Sequence, residues 1–325
     1  MKAIVSDRYG PPDVLELREV DRPAPRDNEV LISVCAASVN AYDWHLLTAD
    51  IKMVRLMGGG LLRPKDRIPG ADVAGRVEAV GRDVKQFRPG DEVFGDIAHA
   101  AFAEYACAPE NRLVLKPAHL SFEGAAAVPM AALTALQGLR DAGQIQPGQQ
   151  VLINGASGGV GTFAVQIAKS FGAEVTAVCS PRNLDQALSL GADRVIDYTR
   201  EDCTQNGQRY DLILAANGYH PLAAYKRLLT PRGIYVMAGG TAAQIFQATL
   251  MGPWLSEKGG RKMGSVTGRM DQKDLGTIGE LMEAGKVRPV IDRCYPLSET
   301  AEALRYLGAG HARAKVVITV EHNGR

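Results

Sequence analysis

The chain has little with which to cross-link itself. Its five cysteines, Cys35, Cys107, Cys179, Cys203 and Cys294, are odd in number, widely separated and never in a CxxC pair. That excludes a disulfide framework and a zinc knuckle, and fits a reducing compartment. An excess of one charge is also missing: 37 Lys and Arg face 36 Asp and Glu, a formal net charge of +1. Without an overall field, nucleic acid and anionic membrane are disfavoured as partners. No window approaches the ~18 uninterrupted apolar residues of a membrane span. The N-terminal Met1-Lys2-Ala3-Ile4-Val5-Ser6-Asp7 meets an acid before a signal-like apolar stretch forms, so a cytoplasmic protein is expected. Besides His311, the histidines His45, His99, His119, His220 and His322 show no HxH or HxxxH spacing, and no metal site is expected from them.

What is present is ordinary globular material: 325 residues, 46% hydrophobic and 22% charged. That length favours two domains, or one large one, with ample core, and the composition argues against disorder. The first 120 or so residues carry short apolar runs, such as Val30-Leu31-Ile32-Ser33-Val34 and Val73 to Val80, broken by Pro11-Pro12, Pro23-Ala24-Pro25 and Pro89-Gly90-Asp91. They predict a β-rich, barrel-like unit. From Ser121, a plausible helix N-cap, the texture changes. Apolar strands at Val151-Leu152-Ile153, Glu174 to Val178, Arg194-Val195-Ile196, Leu212 to Ala216 and Gly233 to Met237 alternate with helical stretches, the sign of a parallel sheet covered on both faces. Helices are predicted at Asp274 to Ala284 and Glu299 to Leu307. A final strand, Lys315 to Val320, returns to the first domain or caps it. The expected fold is therefore α/β: a doubly wound parallel sheet of Rossmann type over 122–268, and a β-barrel domain over 1–121 completed by about 269–325. The apolar stretch Ile51 to Leu62, with Gly58-Gly59-Gly60, reads either as a mobile loop or as an ordinary connection.

The strongest single feature is Val151-Leu152-Ile153-Asn154-Gly155-Ala156-Ser157-Gly158-Gly159-Val160-Gly161, followed by an amphipathic helix through Lys169. Ala156, Gly158 and Gly161 take the three positions of the dinucleotide fingerprint, with Ala in place of the first Gly. Such a turn must be tight and let backbone approach a pyrophosphate, and the helix behind it offers unpaired N–H groups at a positive dipole end. Ser157, Gly159 and Val160 complete the predicted phosphate contacts. The next strand ends Val178-Cys179-Ser180-Pro181-Arg182-Asn183, without the acid that accepts from the ribose in an NAD site. Ser180 and Arg182, with Asn183 beside them, suit a 2′-phosphate, so NADP(H) is the expected cofactor. Alternatively, Ser180 simply caps the next helix and Arg182 is solvated. Asn217, Ala238, Gly239 and Gly240 lie where two further strands end, and their backbones are expected to border the adenosine and the nicotinamide.

Taken with Ala36-Ala37-Ser38-Val39-Asn40-Ala41-Tyr42-Asp43, Pro69-Gly70-Ala71-Asp72-Val73-Ala74-Gly75, Phe87-Arg88-Pro89-Gly90-Asp91-Glu92-Val93-Phe94-Gly95 and Gly285-Lys286-Val287-Arg288-Pro289, the chain resembles a zinc-independent medium-chain dehydrogenase/reductase of the quinone oxidoreductase, or zeta-crystallin-like, group along nearly its whole length. The resemblance implies a GroES-like β-barrel on the substrate side, a Rossmann domain, and a homodimer paired through the strand at Met263 to Gly268. The zinc-dependent branch has a ligating Cys where this chain has Asn40, a ligating His where it has Ala71, and a four-cysteine lobe that is missing here. Without a Lewis acid to hold an alkoxide, a quinone or α,β-unsaturated carbonyl is the expected hydride acceptor. The resemblance also places Asn40 and Asp43 toward the nicotinamide as catalytic residues, Asn40 either donating to an oxyanion or, with Asp43, holding the loop. It implies Tyr42 and Trp44 as pocket walls or core, and Thr134 on the cofactor. It makes Tyr198 a phosphate-side tyrosine or a half-buried strand end, and Arg313 and Lys315 contacts to the 2′-phosphate or a solvated cluster. His45 is the histidine placed for proton relay. Two other readings are an enoyl-thioester reductase, with an acyl pocket supplied by 51–62, and an NADPH-binding structural or regulatory protein with little turnover.

Overall fold

The computed structural model describes residues 1–50, 60, 63–240, 247–266, 268–310 and 312–322; most of the apolar stretch at 51–62 lies outside them. In chain order come β1 (Lys2–Val5), β2 (Glu16–Glu19), β3 (Glu29–Val39), α1 (Ala41–Thr48), β4 (Asp72–Val80), β5 (Glu92–Asp96), β6 (Tyr105–Pro109), β7 (Leu113–Leu115) and α2 (Phe122–Ala126). Then follow α3 (Pro129–Gln137), β8 (Gln150–Asn154), α4 (Gly159–Ser170), β9 (Glu174–Cys179), α5 (Leu184–Ser189), β10 (Arg194–Asp197), β11 (Tyr210–Ala215), α6 (Leu222–Leu228), β12 (Leu229–Met237), α7 (Gly252–Leu255) and β13 (Lys262–Ser265). The tail adds α8 (Gln272–Glu283), β14 (Ile291–Pro296), α9 (Thr300–Gly308) and β15 (Lys315–Thr319).

These elements form two compact units, one of Met1–Met130, Met270–Glu283 and Pro289–Arg325, the other of Ala131–Arg269 and Ala284–Arg288. The division falls at Met130 and not at 121, because α2 belongs with the first unit. Ser121 caps it by accepting from Gly124 N at 3.1 Å, and its buried Gly124, Ala125 and Ala126 lie against β3 and β4.

In the first unit the strands run in the order β14-β15-β3-β4-β5-β7, with β6 also on β3 and a separate β1–β2 pair. All pairs are antiparallel except β14 with β15. Ile32, Val34, Val73, Val93, Phe102, Leu113, Val316 and Ile318 fill its core. The terminal strand β15 does return to this unit, pairing with β3. The sequence pattern missed β14. Ile291-Asp292-Arg293-Cys294-Tyr295-Pro296 is exposed or half-exposed along its whole length, so it carries no apolar alternation to read.

The second unit holds six parallel strands in the order β10-β9-β8-β11-β12-β13. The chain winds outward from β8 to β10, then starts again on the other side with β11. This is the expected doubly wound sheet, and ligands bind such sheets outside the carboxyl ends where the order reverses. Val151, Leu152 and Ile153 of β8 are fully buried, as a central strand covered on both faces requires. All five cysteines are unpaired.

One close approach lies between β3 and β4. The β3–β4 register shifts between Val34 and Ala36, opposite Gly75, whose added Cβ would lie 2.2 Å from Ser33 O. A bare residue there lets two backbones meet at the irregularity. Gly75→Ala is expected to cost about 1–3 kcal/mol of stability, read as a lower urea midpoint at unchanged slope. An unchanged midpoint would show that the two strands have slack at this point.

Candidate active site

The glycine-rich turn leaves β8 and enters α4. Gly155 carries the left-handed backbone (φ +82°), so the tight turn is made one residue before Ala156, the position at which the motif places it. Ala156 is buried, its N–H bonded to Val178 O at 3.0 Å, which ties the turn to β9. An added Cβ on Gly161 would lie 2.1 Å from Gly155 O, so α4 packs directly on the turn. Gly158 differs: its Cβ would meet only Gly155 O, at 3.6 Å. The protein itself does not require a glycine there; its bareness leaves the outer side of the turn open to a ligand. No side chain caps the start of α4, so the first-turn amides around Ser157, Gly159 and Val160 remain available to an anion.

Other predicted residues gather at the same end of the sheet. Asn217 N donates to Asn154 O at 3.1 Å, and Ala238 N and Gly239 N donate to Ala215 O. Gly240 bridges Gly218. The ends of β8, β11 and β12 thus form one rim. After β9, Ser180 Oγ accepts from Asn183 Nδ2 at 3.0 Å, while Arg182 is exposed. Buried Asn183 Oδ1 and Asn154 Oδ1 make no hydrogen bond, an unmet demand that ribose or amide donors of a dinucleotide would satisfy. These residues fit a nicotinamide dinucleotide. Tyr198 is half exposed after β10, its ring 6.0 Å from Tyr219. Thr134 lies on α3, where an added Cβ on Gly268 would come within 2.5 Å of its Oγ1.

The first unit brings together a different set. Lys315 is 3% exposed and its Nζ donates to Asn40 Oδ1, with Asp72 Oδ2 and Val39 O each at 3.5 Å. Asp72 Oδ2 also accepts from Asn40 Nδ2 at 3.0 Å and Ser38 Oγ at 2.9 Å, and its Oδ1 accepts from Met130 N at 3.0 Å. Asn40 N in turn donates to Asp43 Oδ2 at 2.8 Å, starting α1. Burial pushes the Asp43 carboxyl up to about 7, against the Asn40 N–H that favours its ionised form. Its Oδ1 is enclosed without a partner. Burial likewise lowers Lys315, opposed by Asp72, and pushes Asp96 up to about 6.

This arrangement decides between readings that the sequence left open, and it corrects that of Lys315. Lys315 is no 2′-phosphate ligand, because its ammonium is consumed inside the first unit; Arg313, exposed, donates its backbone N–H to Asp292. The Asn40 amide is engaged by Asp72 and the Ser38 carbonyl, so it holds the loop and does not offer a donor to an oxyanion. Trp44 packs against Gly308 of α9 and the core, whereas Tyr42 is 41% exposed. His45, the relay candidate, pairs with Asp50 at 2.9 Å. The residue of this cluster that sequence reasoning missed was Asp72. It sits in the quoted Pro69-to-Gly75 segment, but an acid in an apolar strand gives no sign of its partners until β15 is placed.

Comparison with known proteins agrees with this layout. The model of the alcohol dehydrogenase GroES-like domain matches residues 26–118, and a model described as zinc-binding dehydrogenase matches 190–318. The quinone-oxidoreductase homolog of Spinacia oleracea chloroplasts is 34% identical over 98% of both chains. The 2-methylene-furan-3-one reductase of Solanum lycopersicum is 35% identical over 98% of this chain and 79% of its own. The solved quinone oxidoreductase of Coxiella burnetii superposes with a TM-score of 0.87 at 31% identity, covering 99% of each chain. With a GroES-like unit, a Rossmann unit built for a nicotinamide dinucleotide and relatives matched end to end, the chain belongs to the quinone oxidoreductase, zeta-crystallin-like family of medium-chain dehydrogenases/reductases.

Proposed function

We propose that the protein is an NADPH-dependent reductase of quinones or α,β-unsaturated carbonyls that works without zinc, as a cytoplasmic homodimer. The observation that carries this reading is the end of β9, where Ser180 and exposed Arg182 stand in place of a carboxylate beside the uncapped start of α4. A carboxylate there would repel a 2′-phosphate; a guanidinium attracts it. The dinucleotide, when bound, supplies a hydride. The turn at Gly155–Gly161 holds its pyrophosphate, and Asn154, Asn183 and the rim at Ala238–Gly240 orient it.

Zinc-free chemistry is supported by the two positions that carry ligands in the zinc-dependent branch. Ala71 is fully buried and offers no donor, and the Asn40 side chain is committed to Lys315 and Asp72. An acceptor whose carbonyl is already polarised by conjugation needs less electrophilic help. Tyr42, at the open start of α1, is the aromatic proposed for acceptor contact. For the homodimer, β13 ends its sheet with an outer edge that no strand covers among the described residues, and an uncovered edge is a template for pairing.

Chelator-treated protein is therefore expected to elute as a dimer. It should oxidise NADPH in preference to NADH with an ortho-quinone or an alkenal, and leave a simple aldehyde untouched; equal turnover of the aldehyde would sink the zinc-free reading. Arg182→Ala should weaken NADPH binding about 10- to 100-fold, the loss of a charge-assisted hydrogen bond worth ~1.5–3 kcal/mol, and leave NADH affinity unchanged. Equal loss for both would reject the phosphate assignment. Asp43 gives a pH test of the buried cluster. Its carboxyl rises from an ordinary 3.8 to about 7 on folding, so its protonated form is favoured in the native state. The stability it contributes is full below about pH 4 and is lost as pH rises through about 7. Asp43→Asn, neutral throughout, should flatten that fall in urea unfolding; an identical pH slope would show that Asp43 ionises freely.

A further inference from the structure

Outside the dinucleotide rim, the second unit brings three unlike donors together. Asp202 and Cys203 lie in the segment that leads from β10 to β11, and His220 lies in the segment that follows β11. One ligand atom from each falls within 4.8 Å of the other two. Spacing along the chain could not show this, because the histidine and the cysteine are carried by separate loops.

Each donor is prepared in its own way. Cys203 is fully buried, and its sulfur lies within reach of the other two donors. The His220 ring is flanked by Tyr219 at 4.1 Å and Tyr225 at 5.7 Å. Its Nε2 is enclosed, makes no hydrogen bond, and lies 3.4 Å from Asp202 Oδ1 as an ion-pair contact only. Asp202 Oδ1 is fixed by Thr204 N and Oγ1, both at 2.8 Å. A satisfied core histidine would have a partner on that nitrogen. Here it faces a carboxylate and a thiol.

We propose that Asp202, Cys203 and His220 bind one zinc ion. A thiolate, an imidazole and a carboxylate form a soft-to-borderline set that selects zinc over magnesium or calcium. With ligand bonds of about 2.0–2.3 Å, donors on a tetrahedron sit about 3.3–3.8 Å apart, so the present cluster needs to contract by about 1 Å. Three protein ligands leave the fourth position to water. On binding, the Cys203 S–H bond breaks, the sulfur forms the metal bond, and the proton goes to solvent; His220 binds as neutral imidazole and Asp202 as carboxylate. Neither Asn40 nor Ala71 is involved, and the site takes no part in hydride transfer. Its role is to clasp the loop that carries Asn217 and Tyr219 to the loop after β10. The proposal does not depend on the NADPH reading.

The test is to strip tag-free full-length protein with chelator, add zinc or cobalt, remove excess by gel filtration, and measure retained metal and absorption. One zinc per chain is expected, with about one proton released per ion at neutral pH and a thiolate-to-cobalt charge-transfer band. Cys203→Ser should abolish the band, and His220→Gln should weaken zinc binding at least ~10-fold, while Cys107→Ser in the first unit should leave both unchanged. If Cys203→Ser does not fold, His220→Gln alone decides, since its ring is partly exposed. No zinc retained by the wild type, or retention that neither Cys203→Ser nor His220→Gln reduces, would overturn the proposal.

Discussion

A buried ammonium organises the first unit. Lys315 opens the C-terminal strand β15, yet its Nζ reaches the end of β3 and the start of β4, where Val39 O, Asn40 Oδ1 and Asp72 Oδ2 surround it. A charge removed from water is tolerated only when it is paired and hydrogen-bonded, so this placement dictates its neighbours. The Asp72 carboxylate stands opposite it and also collects the Ser38 hydroxyl, the Asn40 amide and the Met130 amide. Asn40, drawn between lysine and aspartate, is then held with its backbone N–H toward Asp43, and α1 begins there. The exposed face of α1, Tyr42 included, takes its direction from a residue at the other end of the chain.

The second unit depends on a different constraint, the direction of its strands. Six parallel strands put every carboxyl end on one side, so loops distant in sequence converge without contacts designed for each pair. Asn154 shows the consequence. It ends β8, its backbone oxygen receives Ala216 and Asn217 at the end of β11, and its Nδ2 donates to the Tyr225 hydroxyl. That hydroxyl also receives Tyr219 N at 3.4 Å. The rim at Asn154, Asn217 and Ala238–Gly240 and the Asp202–Cys203–His220 cluster therefore share a framework of loop ends, and both lie on the side of the sheet where backbone groups are left without ladder partners.

The legible parts of this protein in its sequence were those written in local pattern. Val151-Leu152-Ile153 followed by the glycine run announces a buried strand, a tight turn and a helix, because each of those needs particular residues at adjacent positions. That the sheet is parallel and covered on both faces follows from the alternation of strands and helices. Even so, the motif points to Ala156 where the backbone reverses at Gly155, since the spacing records which residues must lack a side chain and not which one adopts the left-handed conformation.

What was not legible depends on long-range closure. A lysine between Ala314 and Val316 near the C-terminus reads equally as a solvated cation or a phosphate ligand; only the antiparallel pairing of Val316 with Val39 brings it beside Asn40. Ala314 carries a trace of that closure, for it holds φ +100°, a conformation disfavoured for any residue with a Cβ. The strain is tolerated because the next residue is anchored in the interior. The same logic separates Trp44 from Tyr42. Two aromatics in one short helix look alike in sequence, but the bare Gly308 of α9 admits the tryptophan ring into the core and leaves the tyrosine outside. A residue's role in this protein is therefore settled by which distant element closes over it, and Lys315 is the residue through which that closure is made in the first unit.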